Sequence, residues 1–142
     1  MNNKQMSERY DTETNDKDAA SSANAPLTVL LVEDDPIVRV IVHSMLDELG
    51  HTCIEVKSAE RALDILATNA SIDLVVTDYS MQALTGGQLI EIIKHIYPQV
   101  STILATGNPT NATGMDVTVL HKPFFQEHLD RAIKETMAHN GL

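Results

Sequence analysis

Tryptophan is absent from the 142 residues, aromatic side chains make up only 4%, and there is a single cysteine, Cys53. One cysteine allows no intrachain disulfide, so the fold must hold by burial, and a reducing compartment is expected. So few aromatics leave little to stack on nucleobases. Basic residues are scarce as well: 10 Lys and Arg stand against 20 Asp and Glu, a formal charge of −10. Phosphate contacts dominate nucleic-acid affinity, so direct nucleic-acid binding is not expected. Long apolar runs are missing. The longest, Val29 to Val32, has four residues, against about 20 needed to cross a bilayer. Met1 to Tyr10 is polar and carries no apolar signal segment. A cytoplasmic protein with no membrane partner is the expectation.

What is present is an ordinary globular balance, 43% hydrophobic and 21% charged, at a length that suits one domain. Residues 1–26 stand apart, with eight charged side chains and no Val, Ile, Leu or Phe. Such a stretch cannot bury enough apolar surface to offset its ordering entropy, so it reads as a disordered polar tail or linker before a domain at 27–142.

From Leu27 onward, short β-rich runs alternate with amphipathic segments. Leu27 to Val32 reads as a strand buried on both faces. Pro36 opens a segment in which Ile37, Val40, Ile41, Met45, Leu46 and Leu49 recur at helical spacing, and Gly50 stops it. Thr52–Val56, Ile72–Thr77, Val100–Ala105 and Val117–Leu120 are the other predicted strands. Ser58 can cap a helix carrying Ala62, Leu63, Ile65 and Leu66. A loop holding Gly86 and Gly87 leads to a helix that Pro98 ends, and a last helix runs from Gln126 to His139. The pattern predicts an α/β fold, a five-stranded parallel sheet covered on both faces. Between the fourth and fifth strands, Gly107 to Asp116 holds two glycines and a proline, so the fourth helix is expected to be short or missing.

In such a sheet, ligands bind beyond the carboxyl ends of the strands. Those ends carry Glu33-Asp34-Asp35, Asp78, Thr106 and Lys122-Pro123. Converging carboxylates repel one another unless a cation sits among them, and a hard, oxygen-rich site suits Mg2+. With a lysine and a hydroxyl added, the rim could hold a transferring phosphoryl group.

These residues, in this order, resemble the receiver domain of two-component response regulators. The matching pieces are Val29 to Asp35, Asp73 to Met81, Gly86, Ala105-Thr106 and Lys122-Pro123-Phe124, and the resemblance covers 27–142. It implies a flavodoxin-like sheet in the order 2-1-3-4-5. It also implies that Asp78 accepts a phosphoryl group from a phosphohistidine on a histidine kinase or histidine phosphotransfer protein. Asp35 would ligate Mg2+ directly, Asp34 through a water, and Asp78 and the backbone carbonyl of Ser80 would complete the site. Lys122 would pair with the phosphoryl group, Thr106 would bond it, and the Lys122–Pro123 peptide would be cis. Three features depart from the family: Gln82 follows Met81, Val119 stands where many members have an aromatic residue, and the stretch from Thr106 to Lys122 is short. That short form resembles receivers of hybrid histidine kinases and some stand-alone relatives.

Plainer readings exist for several of these residues. Asp34 and Asp35 also suit a strand–helix turn, and Glu33 reads as a solvated neighbour of the pair rather than a ligand. No histidine sits in a zinc-binding pattern. Cys53 reads as a core residue, and Phe124 and Phe125 as anchors of the last helix. A phosphatase using an aspartyl-phosphate intermediate would need a second acid two residues after Asp78, where Ser80 stands. A pseudo-receiver would have lost the acceptor, the acidic pair or the lysine. The chain is therefore expected not to be an enzyme beyond its own phosphorylation and dephosphorylation, and to signal through an unknown downstream protein or relay the phosphoryl group onward.

Overall fold

β-Branched and leucine-rich runs form the middle of the sheet, with Thr77, Ser101, Thr102 and Thr106 as buried polar residues within it. The computed structural model describes residues 25–69 and 71–140, so the polar stretch 1–26 lies almost wholly outside the described residues. The elements are β1 (Thr28–Val32), α1 (Pro36–Glu48), β2 (Thr52–Val56), α2 (Ala59–Thr68), β3 (Leu74–Asp78), α3 (Gly86–Ile96), β4 (Ser101–Thr106), β5 (Thr118–His121) and α4 (Gln126–Asn140). The sheet order is β2-β1-β3-β4-β5 and every pairing is parallel. A single 3-10 turn, Pro109–Ala112, stands between β4 and β5 in place of a full helix.

Alternation along the strands feeds two cores. Val29, Leu31, Leu74, Val76, Ile103 and Ala105 face α1 and α4, where Val42, Leu46, Leu129 and Ile133 meet them. Leu30, Val32 and Val75 face α2 and α3, against Ala62, Leu66, Leu89 and Ile93. Each leucine so enclosed contributes about 2 kcal/mol of burial. The edge strands β2 and β5 are partly exposed while β4 is buried throughout. Among the described residues, no helix is long and apolar enough to cross a membrane.

Register aligns the strand ends. Val32 pairs with Thr77, Asp78 with Ala105, and Thr106 with His121. The residues just beyond them therefore share one rim. The Lys122–Pro123 peptide is cis. One local expectation changes: Gly86 and Gly87 form the first turn of α3 rather than a preceding loop. The reason is steric. A Cβ on Gly86 would lie 2.0 Å from the backbone oxygen of Asp78, so the loop after β3 can fold back over the helix start only against glycine. Thr85 and Gln88 close a capping box there.

Candidate functional site

The rim is built from the ends of β1, β3 and β5. Glu33 follows β1 and keeps the ladder going, its N–H donating to the Val56 carbonyl at 3.1 Å. This places its side chain inside the rim, where Glu33 is only 4% exposed. Asp78 ends β3, and Lys122 follows β5. The Lys122 ammonium sits between two carboxylates, donating to Asp78 Oδ1 at 3.0 Å and to Glu33 Oε1 at 3.1 Å. The second oxygen of Glu33 accepts from the Asp35 N–H at 3.2 Å. Asp78 Oδ2 has no hydrogen-bond partner among the described residues.

Burial sets the electrostatics. Desolvation raises the pKa of Glu33 above the ordinary carboxylate value, against the Asp35 N–H and the Lys122 charge, which lower it. Desolvation also works against the charged form of Lys122. The hydrogen bonds and charges of Asp78 and Glu33 outweigh it, so the Lys122 pKa is raised. The lysine is thus a permanent cation at the centre of the rim. Burial pushes the Cys53 thiol up to about 12, which keeps it a protonated packing residue in β2.

The acidic turn differs from the sequence-based assignment. Carboxylate oxygens of Glu33, Asp34 and Asp78 lie within 4.8 Å of one another. Asp35 is not in that group. Its carboxylate is the N-cap of α1, accepting from the N–H groups of Ile37 at 2.8 Å and Val38 at 3.3 Å. Those backbone groups have no partner within the helix, which is why an acidic cap before Pro36 satisfies them. Glu33, set aside as a solvated neighbour, is buried and bonded to Lys122. An Asp directly before a helix-opening proline suits a cap but does not require one; the observed cap bonds of Asp35 are what leave Glu33 and Asp34 as the pair beside Asp78. Arg39 fixes the same turn, donating from Nη1 to the Glu33 carbonyl at 2.8 Å and pairing through Nε with Glu55 at 3.3 Å.

Thr106 ends β4 and is 2% exposed, but its hydroxyl bonds the following turn rather than Asp78. Ser80 is exposed in the loop two residues beyond Asp78. Beside the rim, Val38, Ile41, Met45, Pro123 and Phe124 line an apolar groove of about 420 Å3 that Lys122 also borders. Ile37, Val40 and Phe125, sequence neighbours of these residues, are 64–70% exposed.

Comparison with known proteins points to one family. The response regulator receiver domain family matches residues 29–134. The response regulator protein FleR of Pseudomonas aeruginosa is 41% identical over 78 residues, 55% of this chain and 16% of that protein. The sensor kinase CckA of Brucella abortus is 29% identical over 125 residues, 83% of this chain and 13% of that one. The two-component response regulator ORR11 of Oryza sativa is 31% identical over 75 residues, covering 53% of this chain and 51% of the rice protein. The chain therefore spans about half or less of the length of these relatives. Among solved structures, a response regulator receiver protein from Sinorhizobium medicae superposes with a TM-score of 0.73 at 28% identity, over 81% of this chain and 97% of that one. The signal receiver domain of an HD domain-containing protein from Pseudomonas fluorescens gives 0.74 at 25%, over 82% and 98%.

Proposed function

The chain belongs to the response regulator receiver family, and from that premise we propose that it accepts a phosphoryl group on Asp78 from a phosphohistidine donor, with Mg2+, and passes the change on through protein contacts. The observation that carries this reading is the Asp78 carboxylate, half held and half open. Lys122 fixes Oδ1 at 3.0 Å, which leaves Oδ2 to attack phosphorus. As the new O–P bond forms, the P–N bond to the donor imidazole breaks and its electron pair stays on that nitrogen. Lys122 then lies beside the phosphoryl oxygens and offsets the charge gathered on them. Nothing in this step turns over a small substrate; the chain is both catalyst and product.

Hard oxygen donors from Glu33, Asp34 and Asp78, within 4.8 Å of one another, fit a divalent cation of this kind. We assign the metal to these three rather than to a pair made by Asp34 and Asp35. A bound Mg2+ would supply neutralisation of the crowded carboxylates and of the phosphoryl oxygens. Sensor kinases among the relatives support a histidine kinase or phosphotransfer protein as the donor. Such a donor must present its imidazole at Asp78, and the apolar groove that ends at Lys122 is the surface it would cover.

Intact mass after incubation with acetyl phosphate, with and without Mg2+, tests the reading. One added phosphoryl group is expected in the wild type with Mg2+ and none in Asp78→Asn. No gain in the wild type, from acetyl phosphate or from a phosphorylated histidine protein, overturns it. Ile41→Asp, on the groove, is expected to lower transfer from the protein donor relative to acetyl phosphate by about tenfold, the effect of losing one apolar anchor.

A further inference from the structure

A threonine hydroxyl has one proton to give and two lone pairs to fill, and Thr106 has committed all three to the turn that follows it. Oγ1 donates to the Asn108 carbonyl at 3.2 Å and accepts from the Asn108 N–H at 3.1 Å and from Asn111 Nδ2 at 2.9 Å. At 2% exposure, Thr106 has almost no contact with solvent that could trade for these bonds. Its only proton points at Asn108, so it can bond an oxygen on Asp78 only after leaving that carbonyl. The two Asn108 contacts are local. The third comes from a side chain five residues on, in the Pro109–Ala112 turn, which packs against both β4 and β5.

We propose that Asn111 is a positioning residue for phosphoryl acceptance, acting through Thr106. It holds the hydroxyl turned away from Asp78 in the unphosphorylated chain and releases it when a phosphoryl oxygen offers a better acceptor. The inference rests on Asp78 being the acceptor. Its consequence is structural as well as kinetic. When Thr106 rotates to the rim, Asn111 loses its partner, and the Pro109–Ala112 turn is the segment that must find new bonds. Asn108 stays with that turn in either state, because its Oδ1 is held by Thr110 through N at 3.1 Å and Oγ1 at 2.7 Å.

A double-mutant cycle with beryllofluoride and Mg2+ as the probe tests this, read as the apparent dissociation constant from amide NMR shifts. The proteins are the wild type, Asn111→Ala, Thr106→Val and the double variant. Asn111 is half-exposed, so its truncation leaves the cores intact, and a melting curve on each variant checks this. Asn111→Ala is expected to bind beryllofluoride about threefold more tightly than the wild type, the worth of one weak neutral hydrogen bond. In the Thr106→Val background the same change is expected to do nothing. Equal tightening in both backgrounds, or no change in the single variant, overturns the inference while leaving Asp78 as acceptor. A wild type that takes up no beryllofluoride overturns that reading instead, and this one with it.

Discussion

The two halves of the carboxyl rim are held by different forces. Over β1 and β3 the bonds are ionic: one lysine between two carboxylates at 3.0 and 3.1 Å, with Arg39 bracing the turn behind. Over β4 the bonds are neutral, a hydroxyl and two asparagines, on a turn of four residues. Charge-assisted bonds in a half-buried setting are roughly twice as strong as neutral ones. The ionic half is therefore the more firmly fixed of the two, and the neutral half can rearrange at lower cost. The two are interleaved rather than set apart: Lys122 comes from the end of β5, so the ionic contacts span the β4 end that carries Thr106.

Breaking the ionic half should give the largest effect. Lys122→Met leaves buried Glu33 without its cation and removes the charge beside Asp78. Loss of on the order of 2 kcal/mol of stability is expected by chemical denaturation. Phosphorylation by acetyl phosphate should slow about a hundredfold, as when a positioned donor is removed. A variant that phosphorylates at the wild-type rate would mean that Lys122 serves folding alone.

Next in size are two neighbours that look alike in sequence. Asp34→Asn removes a carboxylate from a group of three within 4.8 Å. Calorimetric Mg2+ affinity is expected to fall at least about tenfold. The metal-free protein should become more stable, since a repulsion is gone. Asp35→Ala should do the reverse. It removes the α1 cap at a cost of about 1 kcal/mol and leaves Mg2+ affinity unchanged. If Asp35→Ala abolished Mg2+ binding and Asp34→Asn did not, the pair would revert to the one the sequence alone suggests.

That pair shows where sequence reading stops. The sheet order, the parallel pairing and the missing helix were legible because they follow from patterns spread over many residues: buried runs, helical spacing, and a Gly- and Pro-containing gap. Asp78, Lys122 and Thr106 were legible as strand-end residues. Choosing which two of three adjacent acids face the rim depends on a one-residue register, and composition does not carry it. Only the cap at Asp35 and the ladder bond of Glu33 decide it. The Thr106 hydroxyl was out of reach for another reason. Its orientation depends on Asn111, a side chain in a segment with no period to read. Gly86 fell between: it was legible as a residue matching the family, its close approach to the Asp78 carbonyl was not.

The smallest expected effect lies at the opposite end of the sheet, away from both halves of the rim. His51 is 6% exposed and its Nδ1 accepts the Leu27 N–H at 3.1 Å, a bond that requires that nitrogen unprotonated. Burial lowers the His51 pKa, with Asp130 opposing. The unfolded chain therefore binds a proton that the folded chain refuses, so stability falls as pH drops below about 6.5, the ordinary histidine value. Glu33 has the opposite sign: its pKa is raised by burial, so the folded state binds that proton more readily and gains stability as pH falls toward the ordinary carboxylate value. A pH scan of the wild type alone mixes the two. His51→Gln, whose side-chain oxygen can still accept from Leu27, removes only the first. Melting the two proteins side by side from pH 8 to about pH 5 should show the wild type losing ground to the variant on acidification. Parallel curves would mean that His51 protonates in place, and that the Leu27 bond does not hold it neutral.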